Sequence, residues 1–271
     1  LYRHIRTFEK IVKNYFVILH KFITTHSPYV LTEMDQVNLV RIYNADKIVS
    51  RSVLYVVPEE FKEQRKMLNR GLTEAIFADK VLLVEGPSEM VLFGKVLSEK
   101  NPFYEADGIY ILSVGGFGFK PYQSILNALK IYNVVKTDND LRKPHNKETY
   151  SVLGFIRLNG LIGETILPED PVNEKSVAAK RELYDKNRET LDRIRSNYSL
   201  YLSRCSLEED LDEVIHDKMV EYLPSADGNV IGYLQEAKNN HMVELAEKLT
   251  QNDCELIFEH YNFACLKRIA E

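Results

Sequence analysis

The sequence predicts an α/β fold in which helices flank a parallel sheet. The first observation is Val81-Leu82-Leu83-Val84, an apolar run too short for a helix and unbroken in the manner of a strand buried on both faces. The second is that two more strand-like runs follow, 108–114 and 131–137, with helix-patterned stretches between them. Strand–helix–strand repeats of this kind are βαβ units, which build parallel sheets. The third is what stands at the strand ends: Glu85, then Gly115-Gly116-Phe117-Gly118, then Asp138-Asn139-Asp140. Open α/β sheets place their sites at the carboxyl ends of their strands.

Each element has its own local reason. Gly86-Pro87 turns the chain after the first strand, since Gly tolerates unusual φ and Pro suits a first helical turn. Ser88 and Glu89 open a helix with apolar positions Val91, Leu92, Val96 and Leu97, so Glu89 stands one turn above Glu85. The Gly loop at 115–118 lacks Gly-x-Gly-x-x-Gly and follows the second strand, so it is not a dinucleotide fingerprint. It reads as a tight turn, or as a place where a phosphate approaches amides at a helix start, with Lys120, Lys130 and Lys136 nearby. Beyond Asp140, Arg142-Lys143-Pro144-His145-Asn146-Lys147 is a basic loop, with His145 read as solvated rather than as a ligand. Residues 141–195 are polar and mixed, an insertion that ends in a charged helix over 174–195 covering the sheet. Residues 198–203 alternate as another strand, and Ser206 with Glu209 forms a capping box for an acidic helix. Helices over 229–249 and 252–270 close the chain.

The N-terminal part has a different texture. Residues 1–20 carry apolar positions at helical spacing, and 22–28 read as a short strand running into a loop. Residues 35–57 alternate as two or three strands, Pro58 ends them, and 59–78 is a charged connecting helix. A domain boundary is expected near residue 75.

Composition bounds the function classes. The 271 residues are 45% hydrophobic and 28% charged, ordinary for a globular protein, with room for one large or two modest domains. No run approaches the roughly 18 apolar residues of a membrane helix, and no signal peptide is read. Cys205, Cys254 and Cys265 fit no zinc spacing and are expected as free thiols in a reducing cytoplasm. The net charge of −5 is not the usual mark of a nucleic-acid binder, but a carboxylate cluster counts against that total.

If the sheet is parallel, Glu85, Glu89, Asp138 and Asp140 converge at one edge. Carboxylates crowded together repel and raise each other's pKa. A divalent cation removes that penalty, and hard oxygen donors favour Mg²⁺ or Mn²⁺.

At this point the residues resemble a known family. A strand ending in Glu, a Gly-bearing turn and a later strand ending in Asp-x-Asp resemble the Toprim domain of topoisomerases, primases and several nucleases. Leu83-Val84-Glu85-Gly86-Pro87-Ser88-Glu89, with its second Glu, resembles the Toprim domain of overcoming-lysogenization-defect (OLD) nucleases, among them the nuclease subunit of the Gabija anti-phage system. The resemblance implies a Toprim nuclease domain over 76–271, with a helical insertion at about 141–195, preceded over 1–75 by the C-terminal remnant of an ABC-type ATPase domain. Thr24-Thr25-His26-Ser27-Pro28 resembles that ATPase's switch segment, which would make His26 the γ-phosphate sensor. No Gly-x-x-x-x-Gly-Lys-Ser/Thr loop is present, so the chain is expected to start inside the ATPase, with ATP bound only in a full-length protein. Ser-Leu-Glu-x-Asp-Leu at 206–211 resembles the second acidic element, which implies Glu208 and Asp210 as further metal ligands. Lys238 matches an essential lysine after that element, with Lys218 and Lys248 as competitors.

The expected function is a metal-dependent DNA endonuclease or nickase using two metals about 4 Å apart. Glu85, Glu89, Asp138, Asp140, Glu208 and Asp210 are its expected ligands, with a glutamate such as Glu85 as base. Lys238 would stabilise the transition state. The family further implies double-stranded DNA as substrate, anti-phage defence, a homo-oligomer and a helicase partner. Two other classes are alternatives. One is a receiver-like Mg²⁺ module with Asp138 as phosphoacceptor; the other is a non-catalytic assembly platform.

Overall fold

A computed structural model describes residues 24–28, 31, 38–46, 49–55, 70–115 and 118–271. The helix expected over 1–20, most of that over 59–78, and Gly116 and Phe117 lie outside these residues. Two antiparallel strands come first, β1 (Leu39–Asp46) and β2 (Val49–Tyr55), as the alternation at 35–57 predicts. A short helix α1 (Arg70–Ala75) leads into β3 (Lys80–Val84), α2 (Pro87–Lys100), β4 (Ile109–Ser113), α3 (Phe119–Ala128) and β5 (Tyr132–Thr137). A two-residue hairpin, β6 (Leu141–Arg142) with β7 (Ser151–Val152), precedes α4 (Leu153–Ile162). Helices α5 (Val177–Lys186) and α6 (Arg188–Tyr198) then lead to β8 (Leu200–Leu202). The chain ends with α7 (Leu207–Tyr222), α8 (Val230–Glu236), α9 (Lys238–Lys248), α10 (Gln251–Glu259) and α11 (Ala264–Ala270).

Strands β4-β3-β5-β8 form one sheet, parallel throughout. The order reverses between β3 and β5, and at such a switch point a crevice opens beyond the carboxyl ends. Leu83 pairs with Val135 there, which sets Glu85 beside Thr137 and Asp138. Both faces of the sheet are covered. Leu82 and Val84 pack with α2 and α7–α11 through Leu92, Phe93, Leu211 and Met242. Val81 and Leu83, one residue out of phase, pack with α1, α3, α4 and α6 through Leu72, Tyr122, Phe155 and Leu191. That double burial is why β3 is apolar without alternation.

The β1–β2 pair docks on the second layer. Leu39, Val53 and Tyr55 pack against it, and Arg41 donates to the carbonyls of Ala78 (3.0 Å), Leu129 and Lys130 (both 3.3 Å). Arg41 thus ties the hairpin to the start of β3 and the end of α3.

Several expected elements are divided. The charged helix over 174–195 is two helices broken at Asn187, and the helix over 229–249 is broken at Ala237. The last helix is interrupted at His260 by a 3₁₀ turn over Tyr261–Phe263. Ser206 is the N-cap of α7, but its hydroxyl is given to Glu208 and Glu209, so no capping box forms. Lys136 is not a surface cation for phosphate: it is 2% exposed and bonded to Asp210 and the Asn262 carbonyl.

The first turn of α4 presses on the Asp138–Asp140 turn. A Cβ at Gly154 would lie 2.9 Å from the Asp138 carbonyl oxygen and 3.0 Å from the Asn139 Cα. Both are backbone, so one element must shift. Gly154→Ala is expected to destabilise by about 1–3 kcal/mol despite the better helix propensity of Ala. A denaturant midpoint equal to or above wild type would show that α4 does not bear on that turn.

Candidate metal centre

The crevice between β3 and β5 is lined with acids, each held by a nearby donor. Glu85 follows the last residue of β3. Its Oε1 accepts from Thr137 Oγ1 at 2.5 Å, from the Asp138 amide at 2.9 Å and from Arg157 Nη1 at 2.5 Å. Its backbone carbonyl takes the Gly115 amide and the Ser113 hydroxyl, so the turn after β4 grips the same residue. Glu89, 8% exposed, turns back so that Oε2 accepts from the Gly86 amide at 3.2 Å. Asp138 Oδ1 accepts from Ser203 Oγ at 3.0 Å, and Asp140 Oδ2 from Arg157 Nη2 at 3.0 Å.

A loop after β8 closes the edge. The Ser203 amide bonds to the Thr137 carbonyl, and the Asn139 amide to the Cys205 carbonyl. Asn139, fully buried, donates its side-chain amide to the carbonyls of Lys180 and Arg204. The Asp138–Asp140 turn is therefore pinned by backbone on both sides.

The electrostatics follow from the crowding. Burial holds the Asp138 carboxyl well above the usual carboxylate range; Glu85, Glu89 and Asp140 push it the same way, and Lys136 opposes them. Burial raises Glu89 to about 7 against hydrogen bonds from the backbone, and the charges of Glu85 and Glu208 add to the rise. Glu85, Glu89, Asp138 and Asp140 thus form one interacting group, and Glu208, itself buried, reaches it through Glu89.

The expected ligands are not all used alike. Glu208 accepts from Ser206 Oγ at 2.7 Å. Asp210, 1% exposed, has both oxygens taken: by the Arg204 and Cys205 amides at 3.1 Å each and by Lys136 Nζ at 3.4 Å. These contacts anchor the loop after β8. Among the described residues, no group of three or more His, Cys, Asp or Glu side chains is arranged to hold a metal ion. The reason is visible in the partners: each carboxylate is turned onto its own donor, and a guanidinium lies between Glu85 and Asp140. The donor chemistry nonetheless fits a hard divalent cation, since it consists of carboxylate oxygens whose mutual repulsion such a cation would relieve. Lys238 begins α9, and its side chain is outside the described atoms. His26 is exposed, its ring 6.5 Å from that of Phe77. His145 is exposed.

Arg157 is the site residue that the sequence reading missed, together with Thr137, which it contacts, and Ser203, which bonds to Asp138. A signal was present. In Leu153–Ile162, Arg157 is the sole charged residue of an apolar helix, and a charge in such a place needs a partner.

Residues 76–140, which span β3 to the end of the Asp138–Asp140 turn, match the family model for the overcoming lysogenization defect protein-like TOPRIM domain. The chain carries an OLD-like TOPRIM domain. Among curated proteins it is 39% identical over 273 residues to Endonuclease GajA of Bacillus cereus (strain VD045), an alignment covering 97% of this chain and 46% of that protein. The chain therefore spans about half the length of the curated relative it matches. Among solved structures, the C-terminal region of the Burkholderia pseudomallei OLD protein aligns with a TM-score of 0.48 at 20% identity, covering 72% of this chain and 98% of that one. The C-terminal region of the Xanthomonas campestris pv. campestris OLD protein aligns with a TM-score of 0.42 at 21% identity, covering 72% and 99%.

The raised Glu89 carboxyl has a consequence for stability. Glu89 binds its proton more tightly folded than unfolded, so stability falls as pH rises from 4.5, its ordinary value, through about 7. Chelator-treated protein is expected to lose on the order of 1–3 kcal/mol over that window, and Glu89→Gln to flatten the slope. Parallel pH profiles of thermal unfolding for the two proteins would refute this.

Proposed function

We propose that this chain is the nuclease portion of a metal-dependent endonuclease that hydrolyses phosphodiester bonds in double-stranded DNA. The observation that carries the reading is the group of acids gathered at the β3–β5 switch point, in a chain similar along nearly its whole length to a protein named as an endonuclease. In this reading Glu85, Glu89, Asp138 and Asp140 would hold divalent metal, Mg²⁺ or Mn²⁺, in a two-metal centre, with Glu208, whose charge bears on Glu89, as a further ligand. When bound, the metals supply an activated water and neutralise charge building on the phosphate.

The chain's own residues do the rest. Ser203 and the Asp138 amide keep Asp138 and Glu85 side by side. Asp210 is assigned to hold the loop after β8, so its part in the metal site is positional. Lys238 is proposed to approach the scissile phosphate from the start of α9 and to stabilise its developing charge.

The remaining features belong to the same proposal. Residues 1–75 would be the end of an ABC-type ATPase, and His26 would sense nucleotide in a longer protein. Assembly as a homo-oligomer, a helicase partner, a cytoplasmic location and a role against phage are proposed on the similarity alone. Among the described residues no helix is long and apolar enough to cross a membrane.

Supercoiled plasmid incubated with Mn²⁺ or Mg²⁺ tests the reading. Glu85→Ala and Asp138→Ala are each expected to reduce cleavage by about 100-fold or more with circular dichroism unchanged, which corresponds to roughly 2.7 kcal/mol of lost transition-state stabilisation. Lys238→Ala is expected to lower cleavage while leaving metal affinity intact. Undiminished cutting by both acid variants would remove the assignment.

A further inference from the structure

Arg157 is a cation of the protein's own set among the acids proposed to hold metal. Its guanidinium is bonded to oxygens of four residues: Glu85 Oε1 (2.5 Å), Thr137 Oγ1, the Asp138 carbonyl (3.4 Å) and Asp140 Oδ2 (3.0 Å). Two carboxylates, a hydroxyl and a backbone carbonyl make the kind of hard-oxygen set that divalent cations take. We infer that Arg157 is a built-in counter-cation that competes with divalent metal for Glu85 and Asp140. The inference rests on the metal-centre reading and adds a resident competitor to it.

The geometry suits an exchangeable cation. The backbone of α4 is fixed beside the site by the Gly154 amide, which bonds to the Asp140 carbonyl at 3.2 Å. The side chain spans from that fixed point to the acids, and it is not sealed in: Arg157 is 20% exposed, Glu85 29% and Asp140 38%. A long, flexible side chain at a half-open site can leave without the helix moving. Compare Lys136, another cation near these acids. It is 2% exposed and fixed by Asp210 and the Asn262 carbonyl, so it cannot exchange.

The competition has a direction. With no metal, the guanidinium compensates two carboxylates that would otherwise repel across the crevice. When metal takes Glu85 and Asp140, the two positive charges cannot share the same oxygens, and Arg157 must swing out. A guanidinium at the mouth of the site is then free to meet an incoming anionic group, planar and with several donors.

The test is a Mn²⁺ titration of the full chain, read as free Mn²⁺ by electron paramagnetic resonance, with no substrate present. Arg157→Gln is expected to bind Mn²⁺ about ten-fold more tightly than wild type, and Arg157→Lys, which keeps the charge but loses the fork, to fall between them. Melting in chelator supplies the second reading: Arg157→Gln melts lower than wild type, and saturating Mn²⁺ raises it by more. Mn²⁺ affinity in Arg157→Gln equal to or weaker than wild type overturns the competition while leaving the metal site standing. If Arg157→Gln is poorly folded, Arg157→Lys alone decides, since equal or weaker affinity there overturns the inference too. Failure of wild type and both variants to take up Mn²⁺ overturns the competition and the metal-centre reading together.

Discussion

Repulsion among carboxylates is the constraint around which this structure is arranged. A parallel sheet brings its strand ends to one edge, and here the residues that follow β3 and β5 are Glu85 and Asp138, with Glu89 and Asp140 close behind. Like charges at such spacing are costly in a partly buried crevice. Three devices offset that cost. Protons stay on Asp138 and Glu89 at higher pH than usual. Neutral donors from Thr137, Ser203 and backbone amides take the free lone pairs. Arg157 supplies, among the described residues, the positive charge bonded directly to Glu85 and Asp140.

The rest of the fold keeps those partners in register. The Asp138–Asp140 turn is caught between α4, whose Gly154 amide bonds to the Asp140 carbonyl, and the loop after β8, whose Cys205 carbonyl takes the Asn139 amide. That loop is held in turn by Asp210, paired with Lys136 near the carboxyl end of β5. A strand residue, a helix start and a loop thus form one chain of buried polar contacts under the crevice. Such pairs add little net stability, but removing one partner strands the other and costs about 3–5 kcal/mol. Their role is to fix the positions of Asp138 and Asp140.

Much of this is legible in the residues, and the illegible part has physical causes. The unbroken apolar run 81–84 gives the sheet and its two covered faces, and Glu85 with Asp138-x-Asp140 gives the edge where the acids meet. The partners of those acids are harder to read, because they come from elements with no fixed sequence spacing to the strands. Arg157 lies in a stretch that reads as a polar insertion, although its own helix is apolar. Lys136 looks like a phosphate-binding cation on charge alone. The strand alternation next to Val135 and Thr137 turns it to the opposite face, into the layer with Phe263, where burial forces it onto Asp210. Ser206 with Glu209 satisfies the capping-box pattern, yet the Ser206 hydroxyl meets two carboxylates and is given to them. In each case a tertiary charge outweighs a local preference.

The same accounting of partners separates acids that can turn to a metal from those that cannot. Glu89 is held by backbone amides of its own turn, that of Gly86 at 3.2 Å, and Asp140 by one exchangeable guanidinium, so either can turn to a new cation without breaking a buried ion pair. Glu85 keeps two neutral donors, Thr137 and the Asp138 amide, even when Arg157 leaves, and these leave its second oxygen available. Asp210 differs in kind. Freeing it would unpair the Arg204 and Cys205 amides, each costing on the order of 1–3 kcal/mol, and leave the buried Lys136 ammonium with the Asn262 carbonyl but without its counter-charge. Those contacts suit Asp210 to anchoring the loop after β8.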